Sequence, residues 1–167
     1  RFNGSSFKSF TRSNGLVGND VTCITEDQQG NIWIGTSDGV SKFNGTIFSN
    51  YNDSSGLEVN KGIYSIHVDY DGVVWLGSRG GGLIRMDKDG FQSFGKEHGL
   101  PSNNVFAITQ TKDKRIWLAC SKGIASYDGS SFKTHEESNG KTYFSITKAS
   151  DESVWFGGTP GNGVLHY

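Results

Sequence analysis

The chain has 167 residues, a length typical of one ordinary domain that can bury a substantial core. Its 16 Lys and Arg residues nearly balance 17 Asp and Glu residues, giving a formal net charge of −1, which argues against a nucleic-acid-binding protein. The 24 Gly, 2 Pro and 13% aromatic residues favour an all-β fold with many tight turns over a disordered chain. No apolar run approaches the roughly 20 residues of a membrane span, so we expect no membrane contact by this segment.

The chain begins with a strand-like segment, Arg1–Phe10, which has no companion strand before it. Its sequence RFNGSSFKSF returns as KFNGTIFSNY at Lys42–Tyr51 and as SYDGSSFKTH at Ser126–His135. Both later copies end a repeated unit, so the first ten residues are predicted to be the last strand of a unit whose beginning is missing. Because the chain also opens without Met or a signal peptide, we expect it to be part of a longer protein.

Four copies of one pattern follow this segment. The first complete unit reads VTCITED, NIWIGT, VSKF and TIFSNY, with Asn-Gly and Asp-Gly turns that predict four strands joined by hairpins. The second reads IYSIHVD, VVWLGS, LIRMD and FQSF, the third VFAITQT, RIWLAC, IASYD and SFKTH, and the fourth TYFSITKA, SVWFGG and VLHY. One Trp marks each unit, and Trp33, Trp75, Trp117 and Trp155 lie 42, 42 and 38 residues apart. A period near forty with several strands per unit predicts a β-propeller.

The predicted architecture is an all-β propeller of four four-stranded blades in one domain, residues 1–167. The blades span about residues 11–51, 52–94, 95–135, and 136–167 together with 1–10. The fourth unit stops after three strands, whereas the N-terminus carries one strand in surplus. We therefore predict that Arg1–Phe10 completes the last blade beside Gly163–Tyr167, in the same chain or in a neighbouring copy, because an unpaired strand edge invites aggregation.

The angle between neighbouring blades bears on the number of blades in the ring. A closed ring of four requires about 90° between blades and a ring of eight about 45°, against about 51° in a ring of seven. Side chains shaped for packing near 51° would leave voids at 90°, which protein interiors tolerate poorly. This argument favours a homodimer that forms an eight-bladed ring over a self-closed monomer. A piece of a larger propeller is the alternative.

Two columns of the repeat are interpreted as packing positions. The four Trp residues lie mid-strand beside aliphatic residues, which favours core between blades over a platform for sugar stacking. A second column is mostly aromatic, and we assign it to the packing of blades whose sheets are buried on both faces. Its members are Thr22, Tyr64, Phe106 and Phe144.

No motif in the chain indicates catalysis, a metal or a cofactor. Cys23 and Cys120 occupy different positions of different repeats and are predicted to be packed, unpaired thiols. Asp69–Gly72 and Asp87–Gly90 resemble calcium loops but lack the acidic residue twelve positions from the first, so they are predicted to be turns. Gly157–Gly163 has no Lys-Ser/Thr and no following helix, which argues against a phosphate loop. The four His residues lie at separate places in the repeat, so we expect no enzyme.

The remaining candidate is a ligand site made of loops at one end of the blades. Strands alternate in direction, so the connector into the first strand and the turn between the second and third strands emerge at the same end. Cationic residues there suit a sulfate or a carboxylate. The alternative is that these polar residues are only solvated turns. The candidate ligand-binding residues are Arg79, Lys122, Lys61, Asn103, Asn104, Lys141, Asn19, Asp38 and Asn162.

The third unit carries a family resemblance. Gly99–Val105, reading GLPSNNV, is followed by Trp117 and then by GIASYDG at Gly123–Gly129. This pattern, repeated along the chain, resembles the two-component regulator propeller repeat. The resemblance implies the extracytoplasmic sensor region of a hybrid histidine kinase, hence a periplasmic location and detection of glycan breakdown products. Members usually carry seven blades and further kinase and receiver regions, whereas this chain has four units and no such region.

The function predicted from these observations is a non-catalytic sensor propeller that binds an oligosaccharide. The rival interpretation is a structural or protein-interaction propeller, in which the same face contacts a partner chain and no small ligand binds.

Overall fold

A computed structural model of the protein describes residues 4–58 and 62–167. Within these ranges the chain is built from fifteen short β-strands. Their bounds are β1 Val21–Glu26, β2 Ile32–Thr36, β3 Gly39–Phe43, β4 Phe48–Tyr51, β5 Ile63–Val68, β6 Val74–Ser78, β7 Leu83–Asp87, β8 Gly90–Phe94, β9 Val105–Gln110, β10 Ile116–Cys120, β11 Gly123–Tyr127, β12 Phe132–Thr134, β13 Tyr143–Lys148, β14 Val154–Gly158 and β15 Val164–His166. Single 3-10 turns cover Arg12–Asn14, Asp53–Ser55, Lys96–His98 and Glu136–Ser138.

The strands form four antiparallel sheets in sequence order, consistent with a β-propeller. Strands β1–β4, β5–β8 and β9–β12 make sheets of four, and β13–β15 make a sheet of three. We call these sheets blades 1 to 4. The first strand of each blade packs beside the first strand of the next, because β1 contacts β5, β5 contacts β9 and β9 contacts β13. The all-β, antiparallel part of the prediction is confirmed.

The N-terminal segment does not complete blade 4 within the described residues. Phe10 packs at the other end of the array, on blade 1, with its ring centroid 5.3 Å from that of Phe43 and 5.5 Å from that of Phe48. Tyr51 contacts Phe91 of blade 2 in the same manner, at 6.3 Å. The segment therefore lies where the outer strand of a preceding blade would lie, and the predicted closure of the last blade is not confirmed. Residues 1–3 of that prediction lie outside the described part of the chain.

The core consists of three apolar clusters, one between each pair of neighbouring blades. Trp33, Trp75 and Trp117 are 3%, 4% and 2% exposed, and each packs with residues of the following blade. The prediction that these three Trp residues form the core between blades is confirmed. Trp155 occupies the same position of blade 4, the last blade of the array, and is 41% exposed. Burial at this position therefore depends on a following blade.

A buried hydrogen bond repeats with each core Trp. The indole Nε1 of Trp33 donates to Oδ2 of Asp27 at 2.9 Å, and Trp75 donates to Asp69 at 2.8 Å. Blade 3 has a Thr at this position, and Trp117 donates to its Oγ1 at 3.2 Å. Burial acts to raise the pKa of the Asp27 carboxyl, but hydrogen bonds from Asn31, Trp33 and backbone amides outweigh it and hold the pKa below its usual value. The Asp27 carboxylate therefore connects the turn before β2 to the buried indole of Trp33.

The two cysteines are unpaired, as predicted. Cys23 is half-buried and Cys120 is buried in the cluster between blades 2 and 3. Burial raises the pKa of the Cys120 thiol to about 12 and also raises that of Cys23. Both thiols therefore stay protonated near neutral pH and act as small packing residues.

Candidate functional site

One end of the blades is organised by a hydrogen bond that recurs in all four. The first residue of the turn between the second and third strands donates its amide to the carbonyl of the connector that enters the blade. In blade 2 the amide of Arg79 donates to Gly62 at 3.0 Å, and in blade 3 the amide of Ser121 donates to Asn104 at 3.2 Å. The same bond joins Ser37 to Asp20 and Thr159 to Thr142. The two predicted sets of loops therefore lie together at one end, which we call the loop end.

Blades 2 and 3 meet at the loop end through three of the predicted site residues. Arg79 and Asn104 form an isolated antiparallel β-bridge, which joins the turn of blade 2 to the connector of blade 3. The carbonyl of Asn103 accepts the amide of Gly82 at 2.9 Å. The side-chain amide of Asn104 also lies 3.4 Å from the hydroxyl of Ser121. This junction holds Arg79, Asn103 and Asn104 within one small surface.

Two predicted binding residues have a structural task instead. The side-chain oxygen of Asn19 accepts the backbone amide of Arg12 at 2.9 Å, and that of Asn103 accepts the amide of Lys96 at 2.8 Å. Each Asn thereby anchors the 3-10 turn that precedes its blade. Asp38 is also occupied, because its Oδ2 lies 2.6 Å from the Arg12 guanidinium, which holds the pKa of this carboxyl below its usual value. We therefore assign the side chains of Asn19, Asn103 and Asp38 to the scaffold.

The other predicted residues divide into occupied and available side chains. The amide of Asn162 donates to the Thr159 hydroxyl at 2.7 Å, and Nζ of Lys141 donates to the carbonyl of Glu137 at 3.1 Å. Lys61 lies outside the described residues. The side chains of Arg79 and Lys122 are exposed and make no hydrogen bond or ion pair within the described ranges. These two cations are the groups at the loop end best placed to meet an anionic ligand.

Sequence reasoning missed a feature of the first strand of every blade. The pairing of β5 with β6 skips one residue, so that Ile63 faces Ser78, Ser65 faces Gly77, and Tyr64 is the extra residue of a β-bulge. The same bulge falls at Thr22, Phe106 and Phe144. The rings of Tyr64 and Phe106 lie 5.2 Å apart, and those of Phe106 and Phe144 lie 4.7 Å apart. We call Tyr64, Phe106 and Phe144 the aromatic ladder.

The rings of the aromatic ladder contact one another from blade to blade, as expected for blade packing, but they lie outside the buried clusters of the core. None of its three residues belongs to the buried clusters or packs against them. Tyr64 and Phe106 stay partly exposed although a blade flanks each of them on both sides, and Phe144 is 53% exposed. The aromatic column was visible in the sequence. Its direction was not, because alternation along a strand does not reveal an inserted residue.

A cavity of about 500 Å³ lies elsewhere, at the outer edge of blades 3 and 4. Trp117, His135, Leu165 and Tyr167 are among its lining residues. At the corresponding place one blade earlier, the ring of Phe132 fills the space over Tyr127, with centroids 4.6 Å apart. The cavity therefore lies at the place that an aromatic residue of the outer strand occupies one blade earlier, so we interpret it as a packing position of the repeat.

No group of three or more His, Cys, Asp or Glu side chains is arranged to hold a metal ion in residues 4–58 and 62–167. The described part of the chain also contains no helix long and apolar enough to span a membrane.

Comparison with known proteins bears on the family. The family profile described as two component regulator propeller matches residues 15–38, 56–80 and 99–122. Over 48 residues the chain is 44% identical to Histidine kinase P4 of Formosa agariphila, a match that covers 29% of this chain and 4% of that protein. The chain thus spans a small fraction of the curated relative.

Similar solved structures agree with this result. The extracellular domain assigned to the hybrid two component system BT3049 from B. thetaiotaomicron superposes with a TM-score of 0.81 at 27% identity, over 98% of this chain and 24% of that one. Virginiamycin B lyase from Staphylococcus aureus superposes with a TM-score of 0.72 at 20% identity, over 91% and 57% of the two chains, which shows a shared fold alone. Three profile matches at the spacing of the blades show that the chain contains two component regulator propeller repeats.

Proposed function

We propose that this chain is a ligand-sensing module of an extracytoplasmic, periplasmic signalling region, and that it recognises a saccharide at the loop end. The observation that carries the proposal is the junction of blades 2 and 3. There Arg79 is exposed and has no ionic partner in the described ranges, while its backbone is fixed by Gly62 and Asn104. A cation on a fixed backbone is suited to hold a sulfate or a carboxylate. Similarity to extracellular domains of two-component systems supports the sensory role.

The proposed mechanism is a change of shape and involves no catalysis. A ligand that contacts Arg79 of blade 2 and Lys122 of blade 3 together favours one relative position of the two blades. Such a ligand shifts the population of blade arrangements by no more than its difference in affinity for them. In a longer signalling protein this shift would pass to the regions that follow the propeller.

The rival function is a protein-interaction propeller, in which the loop end binds a partner chain. The structural similarity to virginiamycin B lyase does not favour an enzyme, because a shared fold at this identity leaves the function open. We propose a non-catalytic role because the family is that of the regulator propellers.

Binding of the protein to a glycan array, followed by thermal shift with the sulfated and unsulfated saccharides that bind, tests the proposal. A ligand at one hundred times its dissociation constant stabilises the folded state by about 2.7 kcal/mol. For a chain of this size, that corresponds to a rise of roughly 5–10 °C in the melting temperature. Absence of any saccharide that binds, together with capture of a defined partner protein, would support the rival.

A further inference from the structure

The aromatic ladder has a regular origin in the backbone. In each of the four blades the first strand carries its β-bulge at the same place. The first residue of that strand pairs with the last residue of the second strand, and the bulge is the residue that follows it. A bulge turns a side chain away from the direction that strict alternation would give it. Where the column holds an aromatic residue, in blades 2, 3 and 4, the rings stand next to each other around the inner strands. Blade 1 has Thr22, whose hydroxyl instead donates to the carbonyls of Gly35 and Ile63.

The ladder adjoins the loop end. Gly62, whose carbonyl accepts the amide of Arg79, lies two residues before Tyr64. Asn104, which is bridged to Arg79, lies two residues before Phe106. The backbone of Arg79 is therefore bonded to the two connectors from which Tyr64 and Phe106 follow. Partly exposed aromatic residues and an available cation thus occur close together at the loop end.

The two kinds of group call for a ligand with two kinds of surface. Aromatic rings carry partial negative charge on their faces and attract the electropositive C–H face of a sugar ring. A guanidinium binds a sulfate or a carboxylate through paired hydrogen bonds. The rings contact one another, but they stand outside the three buried clusters and keep part of their surface exposed.

We infer that Tyr64, Phe106 and Phe144 form a stacking surface for the ring of an anionic sugar, whose sulfate or carboxylate is bound by Arg79. This inference rests on the proposed function and identifies the residues and the class of sugar behind it. Phe106 is central, because its ring contacts those of both Tyr64 and Phe144. A saccharide lying along the ladder crosses from blade 2 to blade 4, which makes a disaccharide a suitable probe.

The test is isothermal titration with three probes: a sulfated disaccharide, the same disaccharide without sulfate, and sodium sulfate. Phe106→Leu keeps the apolar volume but removes the aromatic face, and we expect it to weaken binding of both disaccharides about tenfold, or about 1.4 kcal/mol. Phe106→Tyr, which copies the residue of blade 2, is expected to bind as the parent does. Arg79→Gln is expected to weaken the sulfated disaccharide about tenfold and to leave the unsulfated one within twofold.

Matched controls lie at the opposite end of blade 2. Tyr70 is an exposed aromatic residue in the turn between the first two strands, and Lys88 is an exposed cation in the turn between the last two. Tyr70→Leu and Lys88→Gln should leave all affinities within twofold. Melting curves of every variant establish that each one folds.

The outcomes separate this inference from the proposed function. If a disaccharide binds the parent and Phe106→Leu equally, the ladder is not the stacking surface, but the proposed saccharide-sensing function still holds. If sulfate alone binds as tightly as the sulfated disaccharide, and binding depends on Arg79 only, the ladder is likewise not the stacking surface. Failure of all saccharides to bind overturns both. Loss of affinity in Phe106→Leu, with retention in Phe106→Tyr and in the two controls, supports the inference.

Discussion

The strongest test of the fold compares the same substitution in two blades. Trp75 is 4% exposed and contacts Tyr127 and Phe94, with ring centroids 5.7 and 6.4 Å away. Replacement of such a residue by Ala costs about 3–5 kcal/mol for the lost contacts and the cavity. The Asp69 carboxylate also loses its buried partner, which adds about 1 kcal/mol or more. We therefore expect Trp75→Ala to lower the free energy of unfolding by at least about 4 kcal/mol.

The control is Trp155, which holds the same position in blade 4. It is 41% exposed, and its indole Nε1 contacts the hydroxyl of Ser153 at 3.1 Å instead of a buried carboxylate. Trp155→Ala should cost about 2 kcal/mol, roughly half the loss in Trp75→Ala, because part of its surface is already in water and no buried carboxylate loses its partner. Urea denaturation followed by circular dichroism measures both changes through the shift of the midpoint at constant slope. Equal losses in the two variants would refute the view that a following blade buries this Trp.

Three further predictions concern the ends of the array and the pH dependence of stability. Phe10→Ala should lower the free energy of unfolding by about 1–3 kcal/mol in urea denaturation, because it removes the ring packed on Phe43 and Phe48. An unchanged midpoint would show that the N-terminal segment does not pack on blade 1. Burial lowers the pKa of His67 below 6.5, and its Nε2 has no hydrogen-bond partner among residues 4–58 and 62–167. The contribution of His67 to stability is therefore complete above pH 6.5 and is lost as the pH falls through 6.5 toward the folded pKa. His67→Thr, which copies the residue of the other three blades, should make the melting temperature less sensitive to pH between 7.5 and 5.5; an identical pH profile contradicts this role. We also propose, from the angle between blades, that two copies of the chain form an eight-bladed ring. Light scattering should then give about twice the chain mass of 18.2 kDa, whereas the mass of a single chain would rule out this dimer.

The sequence predicted the features that recur in every unit with a clear chemical reason. Gly and Asn-Gly turns mark the ends of strands, and the spacing of Trp33 and its equivalents marks the blades, so both the sheets and the buried Trp residues were predictable. The hydrogen bond from Trp33 to Asp27 was not predicted, although both residues recur in blade 2. A pattern of residue types alone does not show to which polar group a buried indole donates its hydrogen bond.

Prediction of the site was less complete, for two physical reasons. Asn19 and Asp38 are polar loop residues like Arg79, and the folded structure alone shows that their side chains are already bonded to Arg12. The ladder residue Phe106 escaped prediction because a β-bulge changes the direction of a side chain without changing the apolar pattern. The position of Phe10 also depended on packing that the repeat leaves open, since the same strand fits blade 1 or the edge of blade 4.

The proposed saccharide site lies at the loop end, across blades 2 and 3. Amide nitrogen–proton NMR spectra recorded during titration with a sulfated disaccharide locate it residue by residue. We expect the largest shifts on the amides of Gly62, Arg79, Asn104 and Ser121, while those of the turn Asp69–Gly72 at the opposite end stay unchanged. Shifts concentrated at Asp69–Gly72, or around the cavity between blades 3 and 4, would contradict it.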